Sequence, residues 1–283
     1  MAFVRIIILT TITMIAFAAN SVLCRLALSH SDIDAASFTS IRLVSGALML
    51  WLIVRMRNRS ISLQGNWSSA LALFAYAAGF SFAYLSLPTA TGALLLFGAV
   101  QTTMIGAGIH AGERLYARQI LGLASAVAGL VILLSPGLSA PPLTGSVLMI
   151  GAGIAWGIYS LRGSSSADPL SVSAGNFLRA APITILMSAL LWRYSSLDAA
   201  GIWYAVLSGA LASGLGYALW YRVLPALKAT HASTVQLSVP LIAALGGVVW
   251  LGESLTLRLV LSSLAILGGI ALVLLSKTVS GHS

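Results

Sequence analysis

Apolar stretches follow one another along the whole chain with only short polar gaps. Each is long enough to cross a bilayer as an α-helix, which takes about 20 residues. Ten can be marked, at roughly 5–28, 34–55, 67–86, 88–110, 115–134, 144–162, 169–192, 198–222, 226–251 and 256–276. Helix-start chemistry sits in the gaps. Asp34, Asp168 and Asp198 stand where N-caps belong, and Pro169 follows Asp168 at the first helical position, where its missing N–H costs nothing. Pro88 and Pro225 open helices in the same way. The longest Pro/Gly/Ser connection, Ser135 to Pro142, falls between the fifth and sixth segments. The pattern predicts an all-α, polytopic membrane protein of ten transmembrane helices.

The segments also repeat. Residues 84–118 open on Leu87-Pro88 and close on Gly112-Glu113 before Arg118, and residues 221–258 open on Leu224-Pro225 and close on Gly252-Glu253 before Arg258. An offset of 137 takes Arg25 to Arg162, Arg42 to Arg179, Gly79 to Gly216 and Tyr84 to Tyr221. A three-residue insertion in the ninth segment raises the offset to 140, which takes Gly112 to Gly252 and Gly129 to Gly269. The chain therefore divides into two five-helix units, residues 1–136 and 143–279. Five is odd, so the second unit enters the membrane from the opposite side. These are two inverted-topology repeats, the construction of many secondary transporters. Met1 to Ala19 has the outline of a cleavable signal peptide, but the repeat gives this stretch a partner in the second half and predicts a permanent first helix.

Composition sharpens the solvent. The chain is 59% hydrophobic and 7% charged, where a soluble domain carries about 25% charged residues. The net charge of +9 would suggest nucleic acid in a soluble protein. Here the basic residues sort by side. Arg5, Arg55, Arg57, Arg59, Arg114, Arg118, Arg162, Arg222, Lys228 and Lys277 share the side of the N-terminus, against Arg25, Arg193 and Arg258 opposite. That bias orients a membrane protein with both termini cytoplasmic and leaves no nucleic-acid partner. The single Cys24 excludes an internal disulfide and fits no metal motif. No phosphate-binding loop, paired-histidine zinc helix or nucleophile motif points to enzyme chemistry or a cofactor. All six acidic residues lie at segment ends or in loops, so none is placed to relay a proton across the membrane. A facilitator or exchanger driven by its substrate gradient follows.

Several residues together carry a resemblance: Leu-Pro opening the fourth and ninth segments, Gly112-Glu113-Arg114, Arg42 with Arg179, Trp156 and Pro240. On these the chain resembles the ten-helix EamA-type exporters of the drug/metabolite transporter superfamily over essentially its whole length. Its size and aromatic third segment are most similar to the bacterial aromatic and neutral amino-acid and drug exporting branch. The resemblance implies a bacterial inner-membrane exporter of amino acids or related small molecules, working without ATP. The runner-up is export of cationic drugs or other metabolites on the same scaffold. A membrane enzyme or lipid-handling protein is a third reading. The halves depart from one another, with Ala19 where the repeat places Trp156, Val100 where it places Pro240, and Ser254 after Glu253. An asymmetric substrate site is implied.

Such sites lie near the midplane between repeats. Tyr76, Phe80 and Tyr84 recur every four residues, with repeat partners Ser213, Tyr217 and Tyr221. Tyr76 and Phe80 fit either a cavity wall or helix packing. Tyr84 and Tyr221 lie nearer helix ends, where packing or an interfacial belt explains them. Trp156 lies within its segment and joins the cavity through the family pattern. Trp51, Trp67, Trp192, Trp203 and Trp250 lie near ends and read as interface anchors. Asn20, Gln101 and Gln236 are amides in apolar segments, suited to interhelical hydrogen bonds or to a polar lining for an amino acid. Arg42 and Arg179 are intramembrane charges, read as structural or gating residues, with substrate contact as the alternative. Pro240 should kink the ninth helix and act as a hinge. His110, His231 and Lys228 belong to solvated ends or a vestibule.

Overall fold

The computed structural model describes residues 2–57, 64–112, 115–137, 140–163, 166–227, 232 and 235–279. Glu113, Arg114, Lys228 and His231 lie outside the described residues. All regular structure among those described is helical: α1 (Ala2–His30), α2 (Ala35–Arg57), α3 (Trp67–Ala83), α4 (Thr89–His110), α5 (Ala117–Leu134), α6 (Leu143–Gly163), α7 (Pro169–Leu190), α8 (Ala199–Ala226), α9 (Ser238–Leu251) and α10 (Leu257–Val279). Eight are long and apolar enough to cross a membrane, and Trp67–Ala83 and Ser238–Leu251 are shorter apolar helices. Their outer faces are as apolar as their inner ones. Ile8, Ile12 and Ile15 of α1, Val127 and Val131 of α5, Leu245 and Val249 of α9 and Leu264 of α10 are all exposed. A helix apolar all round is buried in protein on one side and lipid on the other. The chain is a multi-pass membrane protein.

The ends are set by the chemistry read from the sequence, with additions. Asp168 and Asp198 cap α7 and α8, accepting from Ser171 N at 3.3 Å and Gly201 N at 3.2 Å. Asn66 caps α3 in the same way, accepting from Ser69 N at 2.8 Å. Asp34 does more. One carboxylate oxygen accepts from Ala36 N and Ser37 N, both at 2.9 Å, and the other from Ser196 N at 3.0 Å, so it joins the α1–α2 turn to the α7–α8 turn. Burial alone would raise its pKa, but the hydrogen bonds from Ser37, Ser196 and Ala36 together outweigh burial and hold it below the ordinary carboxylate value. Its stabilisation is therefore complete above the unfolded value of about 3.9 and is lost as pH falls through the lowered folded value. Asp34→Ala is expected to destabilise the bundle by about 1 kcal/mol, read as a lower melting temperature at neutral pH. That deficit should shrink in strong acid, where the native carboxyl is itself protonated.

The ninth segment differs from the expected single helix over 226–251. Val235 and Gln236 are helical, Leu237 is a turn, and α9 begins afresh at Ser238. Pro240 explains the interruption, because it has no N–H to give the Gln236 carbonyl. It does not kink the interior of a continuous helix. It lies buried in the first turn of α9, where no intrahelical donor is required of it.

Packing brings α5 against α10, α2 against α7, and α4 against α9. It also lays α3 and α4 on α6, and α8 and α9 on α1. The α5–α10 contact is a close crossing: a Cβ added at Gly122 would stand 2.5 Å from the Gly269 carbonyl oxygen, and one at Gly269 would stand 2.3 Å from that of Gly122. Small residues let the two backbones touch. The middle of α8, Leu207–Leu215, is wound as a π-helix against α1 and α2. Such segments are frequent at functional sites.

Candidate substrate cavity

A cavity of about 330 Å³ lies between α1, α3, α4, α6, α7 and α8. It runs from mid-bundle, at Asn20 and Phe80, toward the end where α6 and α8 finish, at Gly163 and Leu224. Nine of the residues that line it are aromatic. Trp156 of α6 is central. Its ring stacks on Tyr159 (centroids 5.3 Å apart) and on Tyr217 (5.5 Å), and meets Tyr76 of α3 at 4.7 Å. Phe17 of α1 packs against Tyr217 and Trp220, and Tyr217 continues to Tyr221.

Polar groups interrupt this wall at few points. The side-chain oxygen of Asn20 accepts from Ser208 at 2.8 Å and from Ser213 at 3.2 Å. Those serines are five residues apart, one turn of the π-helix, which is why both reach the same atom. With its oxygen occupied, the amide retains its two N–H groups for the cavity that Asn20 lines. Ser173 of α7 accepts from the Tyr159 hydroxyl at 3.3 Å and pairs with that of Tyr221 at 3.1 Å. Asn176 accepts from Asn66 N at 3.0 Å, tying the cavity wall to the start of α3.

Of the residues singled out in the sequence, Asn20, Tyr76, Phe80, Trp156, Tyr217 and Gln236 all line the cavity. Gln101 does not: it is buried in α4 away from that wall. Tyr221 does line it, contrary to the belt or packing reading, because its hydroxyl is turned inward to Ser173. Tyr84 is fully buried packing, its hydroxyl donating to the Thr89 carbonyl. Phe17, Tyr159, Asn176 and Trp220 were not singled out, yet line the same space. Tyr159 and Tyr221 follow Trp156 and Tyr217 at helical spacings of three and four, which was the available signal. Trp51, Trp67, Trp192, Trp203 and Trp250 are exposed, as anchors should be. The two repeat-related arginines part company. Arg179 donates to the carbonyls of Gln64 and Gly175 at 3.0 and 2.9 Å, holding the approach to α3. Arg42 is 2% exposed and donates to the Tyr76 hydroxyl at 2.8 Å.

Past the mid-bundle end of the cavity, a latch joins α1, α4 and the end of α9. Gly252 ends α9 in the left-handed region (φ 65°), and Glu253 N closes the turn on the Gly247 carbonyl. The Glu253 carboxylate then accepts from Thr89 N at 2.8 and 2.9 Å, and from the Thr89 hydroxyl at 3.1 Å. Pro88 offers α4 no side-chain cap, so Glu253 caps that helix from another part of the chain. Arg25 completes the latch, 3.7 Å from Glu253 and donating to the Tyr84 carbonyl at 2.8 Å. Beyond it lies a second cavity, of about 390 Å³, with Arg25, Pro88 and Glu253 in its wall.

A lipid-facing helical bundle around a polar and aromatic cavity, latched at one end, defines a membrane transporter. A family model described as the EamA-like transporter family matches residues 143–275. An uncharacterized Pseudomonas aeruginosa protein, PA1977, is 55% identical over 271 residues, covering 95% of this chain and 94% of that protein. The threonine/homoserine exporter RhtA of Salmonella typhimurium is 36% identical over 140 residues, covering 46% of each chain. One solved crystal structure superimposes with a TM-score of 0.66 at 20% identity, covering 96% of this chain and 99% of that one. Residues 143–275 therefore carry an EamA-like transporter domain.

Proposed function

We propose that this transporter exports amino acids and related small metabolites across the cytoplasmic membrane of a bacterium, by alternating access and without ATP. The observation that carries the reading is the pair of cavities separated by the Arg25–Glu253–Thr89 latch. One cavity reaches the end that holds the basic helix termini, which the positive-inside rule makes cytoplasmic. The other reaches the opposite face. Alternating access requires two such entries that are never open together. The packing supports two inverted five-helix repeats, residues 1–136 and 143–279, with ten spans and both termini cytoplasmic. Mates α2–α7, α4–α9 and α5–α10 touch one another, and the α3–α6 contact has its counterpart in α8–α1. Likeness to a threonine/homoserine exporter over about half the chain favours amino acids. The ring-lined wall favours the aromatic and neutral members of that class. Asn20, Tyr76, Phe80, Trp156, Tyr217 and Gln236 are the proposed contacts. Gln101, buried off the wall, is not among them. Pro240 remains the proposed hinge, now at the start of α9.

No Asp or Glu lies within any described helix, which supports a facilitator or exchanger over a proton pump. Proteoliposomes loaded with threonine, methionine or phenylalanine test both points. Labelled amino acid should exchange across the membrane with no imposed pH gradient. Movement of a quaternary amine in place of all three would instead select the cationic-drug reading. Strict dependence on a pH gradient would overturn the facilitator.

A further inference from the structure

Arg42 is a buried cation with no counter-ion among the described residues. The side chain is 2% exposed, and its guanidinium carbon stands 4.7 Å above the Phe80 ring and 5.3 Å from the Tyr76 ring. One terminal nitrogen donates to the Tyr76 hydroxyl at 2.8 Å, and the other is buried with no hydrogen-bond partner among the described residues. The described ion pairs are Arg25–Glu253 and Arg57–Asp168, and neither involves Arg42. A guanidinium keeps its charge at physiological pH. Burying such a charge is costly unless an opposite charge or a full set of hydrogen bonds answers it. Ring faces and one phenol oxygen answer it only in part.

Arg42 does not itself line the cavity, but both of its aromatic neighbours do. The Tyr76 oxygen accepts from Arg42, so its own hydrogen is free to be donated, and a phenol that accepts from a cation donates more strongly. On the same cavity wall the Asn20 amide offers two further N–H groups. We propose that Arg42, acting through Tyr76, is the positioning residue that makes this cavity a receptor for a carboxylate-bearing cargo and turns away molecules of net positive charge. The missing negative charge arrives with the substrate. The inference rests on the cavity being the transport site, and it opposes the cationic-drug reading of the same aromatic wall.

Isothermal titration of the purified full chain in detergent tests it with three ligands of one shape: 3-phenylpropionate, phenylalanine and phenethylamine. Both carboxylates should bind at least ~10-fold more tightly than the amine. Tyr76→Phe keeps the ring but removes the hydroxyl that accepts from Arg42 and donates to the cargo, and should cut that preference by about 10-fold in protein that still folds, at some cost in melting temperature. Arg42→Gln should erase the preference and Arg42→Lys restore part of it, a pattern that a purely structural arginine would not give. Equal binding of acid and amine, tighter binding of the amine, no binding of either carboxylate, or an unchanged preference in folded Tyr76→Phe would each overturn the proposal. If the preference holds while liposomes fail to exchange amino acids, the proposed cargo class fails and the carboxylate site stands.

Discussion

Gly209→Leu is expected to remove folded protein from the membrane fraction altogether. Gly209 lies in the π-helical stretch of α8, which rests directly on α2. A Cβ there would stand 2.0 Å from the Arg42 carbonyl oxygen, 2.0 Å from the Ser45 hydroxyl and 2.8 Å from the Arg42 carbonyl carbon. The Ser45 side chain can rotate away. The backbone of α2 cannot, because moving it displaces Arg42, whose guanidinium is fixed over Phe80 and bonded to Tyr76. Overpacking an interior by a few methylenes typically costs about 1–3 kcal/mol where side chains can yield. Here backbone meets backbone, and the cost should exceed that range. The same change at Gly106 is the control. That glycine is exposed on α4, with nothing within 4 Å of an added Cβ, and leucine is the better helix former. Size-exclusion profiles of tagged protein should show Gly106→Leu as wild type and Gly209→Leu as aggregate or absent. A monodisperse Gly209→Leu protein would mean that α8 and α2 do not meet as described.

The same region shows what a sequence can and cannot disclose. Helix positions were legible because membrane thickness imposes a length on every apolar run, and Asp34, Asp168 and Asp198 announce starts by local chemistry. Glu253 was visible only as half of a repeated Gly-Glu. Its role as the cap of α4 needs a residue 164 positions away, which local spacing cannot supply. Which helix faces look inward was harder still. Lipid and protein interior both accept apolar side chains, so the usual contrast between a dry face and a wet one is missing. Tyr76, Phe80 and Trp156 were found because aromatic spacing and family pattern mark them. Tyr221 was misplaced because nearness to a helix end is a weak guide once a cavity reaches that end. Gln101 was misplaced because an amide in an apolar helix does not by itself say which way its face of the helix turns. The π-turn that aims Ser208 and Ser213 at Asn20 shifts the helical phase of α8, and no periodicity argument over that segment foresees it.

Trp156→Ala is expected to reduce exchange at least ~10-fold while leaving a folded protein. Trp156 joins three walls of the cavity, touching Tyr76 on α3, Tyr159 on its own helix and Tyr217 on α8. Truncation removes three ring contacts, each worth about 0.5–1.5 kcal/mol beyond area, and opens the cavity where a flat side chain would stack. A fully buried tryptophan cut to alanine costs about 3–5 kcal/mol of stability. Trp156 is only half-buried and faces a space already empty of protein, so the fold should lose less than that. The loss should fall on substrate. KM should rise for phenylalanine more than for threonine, because only the former has a ring to stack. Trp156→Phe should recover most of the phenylalanine exchange by restoring one ring against Tyr217. The repeat supplies an internal comparison: the corresponding position in the first half is Ala19, so one half already lacks this ring and the site has a single aromatic wall to lose. Wild-type kinetics for both amino acids in Trp156→Ala would take Trp156, and the aromatic wall built around it, out of the transport path.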